Sequence, residues 1–424
     1  MNEPSATRRG VLATTGAALF AGCTDSSQST ATPEISAVRL QQIGDDAPAL
    51  VVADSRPVDI EETELAASVQ RVTSLGETLP LPLGPDQIPN GYIRERLTTA
   101  ARNATDRVAD ARTAPTRLVA LESLHRARSQ ARYAAAGWGY VETDLTASTL
   151  EAEHEALVSA AQSVRSDYAY LGTDPVTAAL VHGLVEAYLD EVITDSPGDT
   201  HETSQLLRVA AWGEGVEVAQ AQLAAARYLS TRFRSSLPAD ADTVRTSLTT
   251  AVDTLREHIR QRQQAMPAEP TDPENRLRGR LQNRLRSDAT DAVGHVENAP
   301  GPASKLLTAT EGLTTLLAHE RFTDRRNADA TFSVETASGV EATREAAVGA
   351  IESALDESTR PALARPILAD TARSIRFADR ELARSSRTVQ PAQLTTPLFR
   401  YTVATLRANS VPSACRHTLD ALNQ

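Results

Sequence analysis

The chain has 424 residues, with 43 Lys or Arg against 55 Asp or Glu and a formal charge of -12. That acidity argues against nucleic acid as a partner, because no basic surplus is available to neutralise phosphates. Two cysteines exclude a disulfide framework, and aromatics at 4% exclude a core built on large rings, so stability has to come from many small apolar contacts.

Residues 1–22 carry a charged start with Arg8-Arg9, an apolar run from Gly10 to Ala21 and small residues before Cys23. This is the layout of an export signal, and the run is too short to remain in a bilayer as a spanning helix. Thr24 to Thr32 is Ser, Thr, Asp and Gln with almost nothing apolar, which predicts a flexible tether over 23–34. Between 35 and 60, Val38, Leu40, Leu50, Val51 and Val52 are spaced for one or two short strands around Gly44-Asp45-Asp46-Ala47-Pro48.

From residue 61 the apolar period is near 3.6 and stays so to the end. Leu65, Val69, Val72 and Leu75 predict a first helix stopped by Gly76, followed by a crossing through Pro80, Pro82, Pro85 and Pro89. Ile93 to Ala111, then Leu118 to Ala131, then Leu150 to Tyr168 with a stop at Gly172, predict the next three. Asp174-Pro175 and Asp272-Pro273 read as an N-cap followed by proline, where a missing N–H costs nothing. Further helices are expected to begin near Pro175, Thr200, Ala239, Pro273, Pro302, Thr336, Pro361, Pro391 and Pro412. Long helices with short loops place neighbours antiparallel, so the fold class is all-α, an antiparallel bundle or stacked helical hairpins. Met266 to Pro273 is the best divide between one helical unit at 61–266 and another at 273–424, unless it is only a rigid loop. Cys415 falls on the stripe Val411, Cys415, Leu419, Leu422 and reads as a small buried hydrophobe.

Two segments are alike: Arg132-Tyr133-Ala134-Ala135-Ala136-Gly137-Trp138-Gly139 and Arg208-Val209-Ala210-Ala211-Trp212-Gly213. No third copy follows at that interval, so a solenoid is not indicated, and the pair reads as two Trp anchors beside glycine-thinned helix surfaces.

The common catalytic signatures are missing: H-E-x-x-H, G-x-S-x-G, C-x-x-C, a Walker loop and a dinucleotide fingerprint. One hint of chemistry is a pair of Glu-x-x-His steps, Glu122 with His125 and Glu151 with His154. Residues three apart share a helix face, so each step is able to offer a carboxylate and an imidazole to one metal ion. A turn at Gly137-Trp138-Gly139 brings the two steps level, whereas a turn at Thr143 to Thr146 leaves them roughly 18 Å out of register. A second hint is the basic set Arg276, Arg278, Arg280, Arg284 and Arg286 around Leu277, Leu281 and Leu285. Arg276, Arg280 and Arg284 are candidates for contact with anionic headgroups, and equally for pairing with neighbouring acids. Ser166-Asp167-Tyr168-Ala169-Tyr170 either rims a pocket or packs a helix end.

The Arg8-Arg9 pair before Gly10-Val11-Leu12 resembles a twin-arginine export signal, and Phe20-Ala21-Gly22-Cys23 resembles a lipobox, with Phe20 where Leu is usual. Similarity to a twin-arginine-exported lipoprotein precursor implies export in the folded state, lipidation of Cys23 and a membrane tether on the outer face of the cytoplasmic membrane. Lysine occurs once, as Lys305, and with the acidic surplus this resembles lipoproteins of salt-loving archaea, whose surfaces stay solvated when salt screens charge. The expected function is a non-enzymatic binding or scaffold module on the cell surface, with a protein or envelope component as partner. The rivals are a metal-binding helical protein using the two Glu-x-x-His steps and a hydrolase of envelope polymers.

Overall fold

The computed structural model describes residues 34–45, 52–197, 202–268, 276–328, 332 and 334–424. The export signal, Cys23, nearly all of the tether, Leu50, Val51 and Asp272-Pro273 lie outside these. Among the described residues there are fourteen α-helices and no strand. They are α1 (Ala37–Asp45), α2 (Glu62–Glu77), α3 (Gly91–Arg112), α4 (Arg117–Glu142), α5 (Ala147–Ser166), α6 (Pro175–Thr194) and α7 (Gln205–Ser236). Then follow α8 (Arg245–Gln264), α9 (Arg276–Asn298), α10 (Pro302–Asn327), α11 (Ala337–Glu357), α12 (Pro361–Ala383), α13 (Thr395–Ala408) and α14 (Val411–Leu422). No described helix is long and apolar enough to cross a membrane.

The helix starts are set by local chemistry. Side chains of Asn90, Thr116, Thr146, Asp174, Ser204 and Thr336 each accept a hydrogen bond from a backbone N–H in the first turn that follows. Pro175, Pro302, Pro361 and Pro412 stand at first or second helical positions, where no donor is lost. Pro391 opens a 3-10 turn instead, and α13 begins after it.

The expected extended segment is corrected in its first part: Ala37–Asp45 is helical. Val38 is exposed while Leu40 and Ile43 are buried, a spacing of three that suits one helix face and not a strand. This face lies on α12, and Gly44 permits the approach, since a Cβ there would sit 2.6 Å from the carbonyl oxygen of Asp379. Ile35 pairs with Val389 in an isolated bridge.

The centre of the first half is the long crossing of α4 and α7, flanked by α2, α3, α5 and α6. Here the two alike segments meet each other. A Cβ on Gly213 would overlap the methyl of Ala136 and lie 3.3 Å from the carbonyl oxygen of Arg132; one on Gly137 would meet Leu97 at 2.6 Å and Ala210 at 3.3 Å. Backbones so close exclude large side chains, which is how a chain poor in aromatics fills its core. Across the same interface runs one buried charge network. Glu217 of α7 accepts from Arg128 Nε of α4 at 2.8 Å and from the Arg71 guanidinium of α2 at 2.7 Å and 3.1 Å.

The second half is built round α10, which packs on α8, α9 and α14 and, across the two halves, on α6. Helix α8 therefore sits with the helices after it, and the 266–273 linker joins two helices that pack on one another and on α10 rather than separating two bodies. Glu186 of α6 accepts from the backbone N–H groups of Ala303 at 3.2 Å and Ser304 at 2.6 Å, satisfying donors that the start of α10 leaves open. Tyr170 donates to the same carboxylate at 2.6 Å, and Tyr168 bonds the His182 imidazole at 2.6 Å. The Tyr168–Tyr170 segment thus packs inward after α5 has ended. Cys415 is buried, and desolvation pushes its thiol up to about 12.

Candidate functional site

An open cavity of about 1000 Å³ lies between α9 and α12 over α13, which packs against both. Each helix contributes one face at helical spacing. Arg280, Arg284 and Asp288 come from α9, Asp370, Arg373 and Phe377 from α12, and Phe399, Arg400, Val403 and Arg407 from α13. The adjoining stripe of α9 carries Leu277, Leu281 and Leu285, all buried, which fixes the helix rotation and leaves Arg280 and Arg284 at its edge, along the cleft.

Five arginines against two aspartates give the lining a formal excess of three positive charges in a chain whose total is -12. Arg284 Nε pairs with Asp288 at 2.8 Å, Arg373 with Asp370 at 3.3 Å, and Arg407 with Glu311 at 2.7 Å and Asp370 at 3.6 Å. Among the described residues, Arg280 and Arg400 pair with no carboxylate. Arg280 donates to Thr396 Oγ1 at 2.9 Å and lies 4.8 Å from the centre of the Phe399 ring; Arg400 lies 5.6 Å from that of Phe377. A third guanidinium, Arg380, is 4.7 Å from the same Phe377 ring. Phe377 remains 47% exposed, unusual for a phenylalanine. Behind the rim, burial together with the charges of Arg373 and Arg380 holds Arg376 below the ordinary arginine range, while burial raises Asp288 despite Arg284 and Arg407. Positive charge is crowded here beyond what the local acids neutralise.

Residues 63–240 match the family model of a domain of unknown function (DUF8262), and residues 245–420 match that of a second (DUF8264). No curated protein and no solved structure matches the chain. The boundary between the two matched regions falls in the connection from α7 to α8, in agreement with the packing of α8. Every residue of the cleft belongs to the DUF8264-matching region.

The predicted metal site does not form. Helix α4 runs through Gly137-Trp138-Gly139 to Glu142, and the chain reverses at Thr143 to Thr146, where Asp144 adopts a φ of 53°. The two Glu-x-x-His steps are therefore out of register, and α5 packs on α6 and α7 instead of lying along α4. His125 packs against the Tyr188 ring at 6.1 Å and is held down to about 4 by burial and by Arg128 and Arg126. His154 packs against Trp212 at 6.0 Å, and Glu151 is exposed. No group of three or more His, Cys, Asp or Glu among the described residues is placed to hold a metal ion.

Of the arginines singled out as headgroup contacts, Arg280 and Arg284 form the α9 wall of the cleft, while the Arg276 side chain is outside the described residues. Arg373, Phe377, Arg400 and Arg407 were not singled out in the sequence. The available signal was the spacing Arg373, Phe377, Arg380 on one helix face; an arginine next to a phenylalanine was no guide, since four of the six phenylalanines have one.

Proposed function

We propose that the chain is a lipid-tethered surface protein whose helical body is a binding module, with the arginine-lined cleft as its recognition surface for an anionic group. The observation that carries this reading is the gathering of five arginines and two phenylalanines in one open cavity of an acidic protein, with Arg280 and Arg400 each against a ring. A volume near 1000 Å³ suits a small organic ligand or the end of a larger one. The lining has no His or Cys, and both of its carboxylates are held by arginines, so it offers contacts for charge and ring surface rather than an activated nucleophile with its base. The tether rests on Arg8-Arg9 and the Phe20-to-Cys23 segment, and the acidic surplus with a single lysine resembles lipoproteins of salt-loving archaea.

The test uses the full chain carrying Cys23→Ser. Inorganic phosphate or sulfate, compared with chloride at equal ionic strength, should raise the unfolding free energy by about 1.4 kcal/mol at ten times Kd. The gain should vanish in Arg280→Gln/Arg400→Gln. An equal response of parent and double variant would remove the cleft from the proposal. Cys23→Ser should also move the protein from the membrane fraction to the medium, and retention in the membrane would refute the tether.

A further inference from the structure

Resting on the anion-binding reading, we infer that the cleft takes a phosphate ester whose phosphate is borne by a flat or apolar ring. The two guanidinium groups without a carboxylate partner, Arg280 and Arg400, stand on different helices, one on the α9 wall and one on the α13 floor. A carboxylate is planar, carries one charge and is satisfied by a single guanidinium fork lying in its own plane. A phosphate is tetrahedral, presents three acceptor oxygens and carries close to two charges as a monoester, so it can accept from forks that approach in different planes. The excess of three positive charges on the lining matches a dianion better than a monoanion.

The ring follows from Phe377. It is the one phenylalanine among the described residues that is exposed, and it stands at the cleft with Arg400 and Arg380 against it. An apolar ring kept in water beside an unpaired guanidinium is a surface for a ligand that brings both a face to stack and an anion to bind. In molar salt, where screening confines charge attraction to a few ångströms, such a ring contact keeps its strength, because burial of apolar surface does not depend on unscreened charge.

Calorimetric titration of the full chain carrying Cys23→Ser with inorganic phosphate, phenyl phosphate and benzoate tests this. Phenyl phosphate should bind about tenfold more tightly than inorganic phosphate, and benzoate should be weaker than phenyl phosphate by at least as much. Phe377→Ala should erase the advantage of phenyl phosphate while leaving inorganic phosphate within about twofold, and Phe377→Trp should restore it. Arg400→Gln should weaken both phosphates together, with the unfolding midpoint of each variant showing that the fold is kept.

Equal binding of phenyl and inorganic phosphate, both dependent on Arg400, would overturn the ring assignment while leaving an anion cleft. Benzoate bound as tightly as phenyl phosphate would overturn the phosphate assignment. Vesicles of an anionic phospholipid bound as tightly as phenyl phosphate would overturn the ring as well, since a headgroup offers phosphate without one. Absence of binding by all three soluble probes would overturn this inference and the anion-binding reading together.

Discussion

Arg128→Met breaks the best-buried ionic contact among the described residues. The Glu217 side chain is 1% exposed and Arg128 only 11%, with Nε 2.8 Å from the carboxylate. Removing one partner of such a pair typically costs about 3–5 kcal/mol, because the remaining charge stays buried without compensation. Arg71 keeps its bonds to Glu217, but its side chain is 38% exposed and partly solvated. The remaining pair offsets part of the loss, so the single variant should lose about 2–3 kcal/mol. Arg128→Met/Glu217→Met removes both buried charges, fills their volume with thioether chains and lets Arg71 turn to water, so it should recover to within about 1 kcal/mol of the parent. Urea unfolding at pH 7, followed by helical circular dichroism, measures both. Because the pair is shielded from ions, the loss should persist in molar salt. A double variant as unstable as the single one, or a single-variant loss below about 0.5 kcal/mol, would refute the assignment of this network as a desolvated, mutually dependent charge pair.

Gly213→Ala should destabilise by about 1–3 kcal/mol, since the added methyl overlaps Ala136 in an interface without slack, whereas Gly349→Ala, with open space around its Cβ position, should stabilise by up to about 1 kcal/mol in the same unfolding assay. The His125 imidazole titrates near 4 in the folded protein against an ordinary value of 6.5, so the unfolded chain takes up this proton first. The stabilisation from its neutral ring is complete above about pH 6.5 and is lost as pH falls through 4, a change of about 3 kcal/mol. His125→Phe should flatten that limb of the stability profile, and an unchanged slope between pH 7 and 4 would count against it.

Where one helix dominates its own pattern, the sequence was readable. Asp174 and Thr336, and prolines at 175, 302 and 361, mark true boundaries because the first turn of a helix needs acceptors and not donors. Tertiary packing overrode local signals elsewhere. Gly137 and Gly139 look like a turn, yet the close approach of α7 and of Leu97 repays the glycine cost and α4 continues. Val38 and Leu40 suggest a strand until one sees that Val38 faces water. The α9 half of the cleft was visible as a basic stripe. Its other walls come from helices about ninety residues or more away in sequence, and periodicity carries no information about which faces meet.

The carboxylate of Glu186 has a consequence for how the cleft can respond. An acid from the region matching the first family closes the head of the central helix in the region matching the second. Pulling the halves apart would strand a buried anion and reopen two amide donors, so a clamshell motion about the α7–α8 connection is disfavoured. That same central helix backs the α9 wall. For the ligand proposed above, binding to the cleft would then be registered by side chains reorienting against this frame, and whatever reads the bound state would have to touch the rim itself.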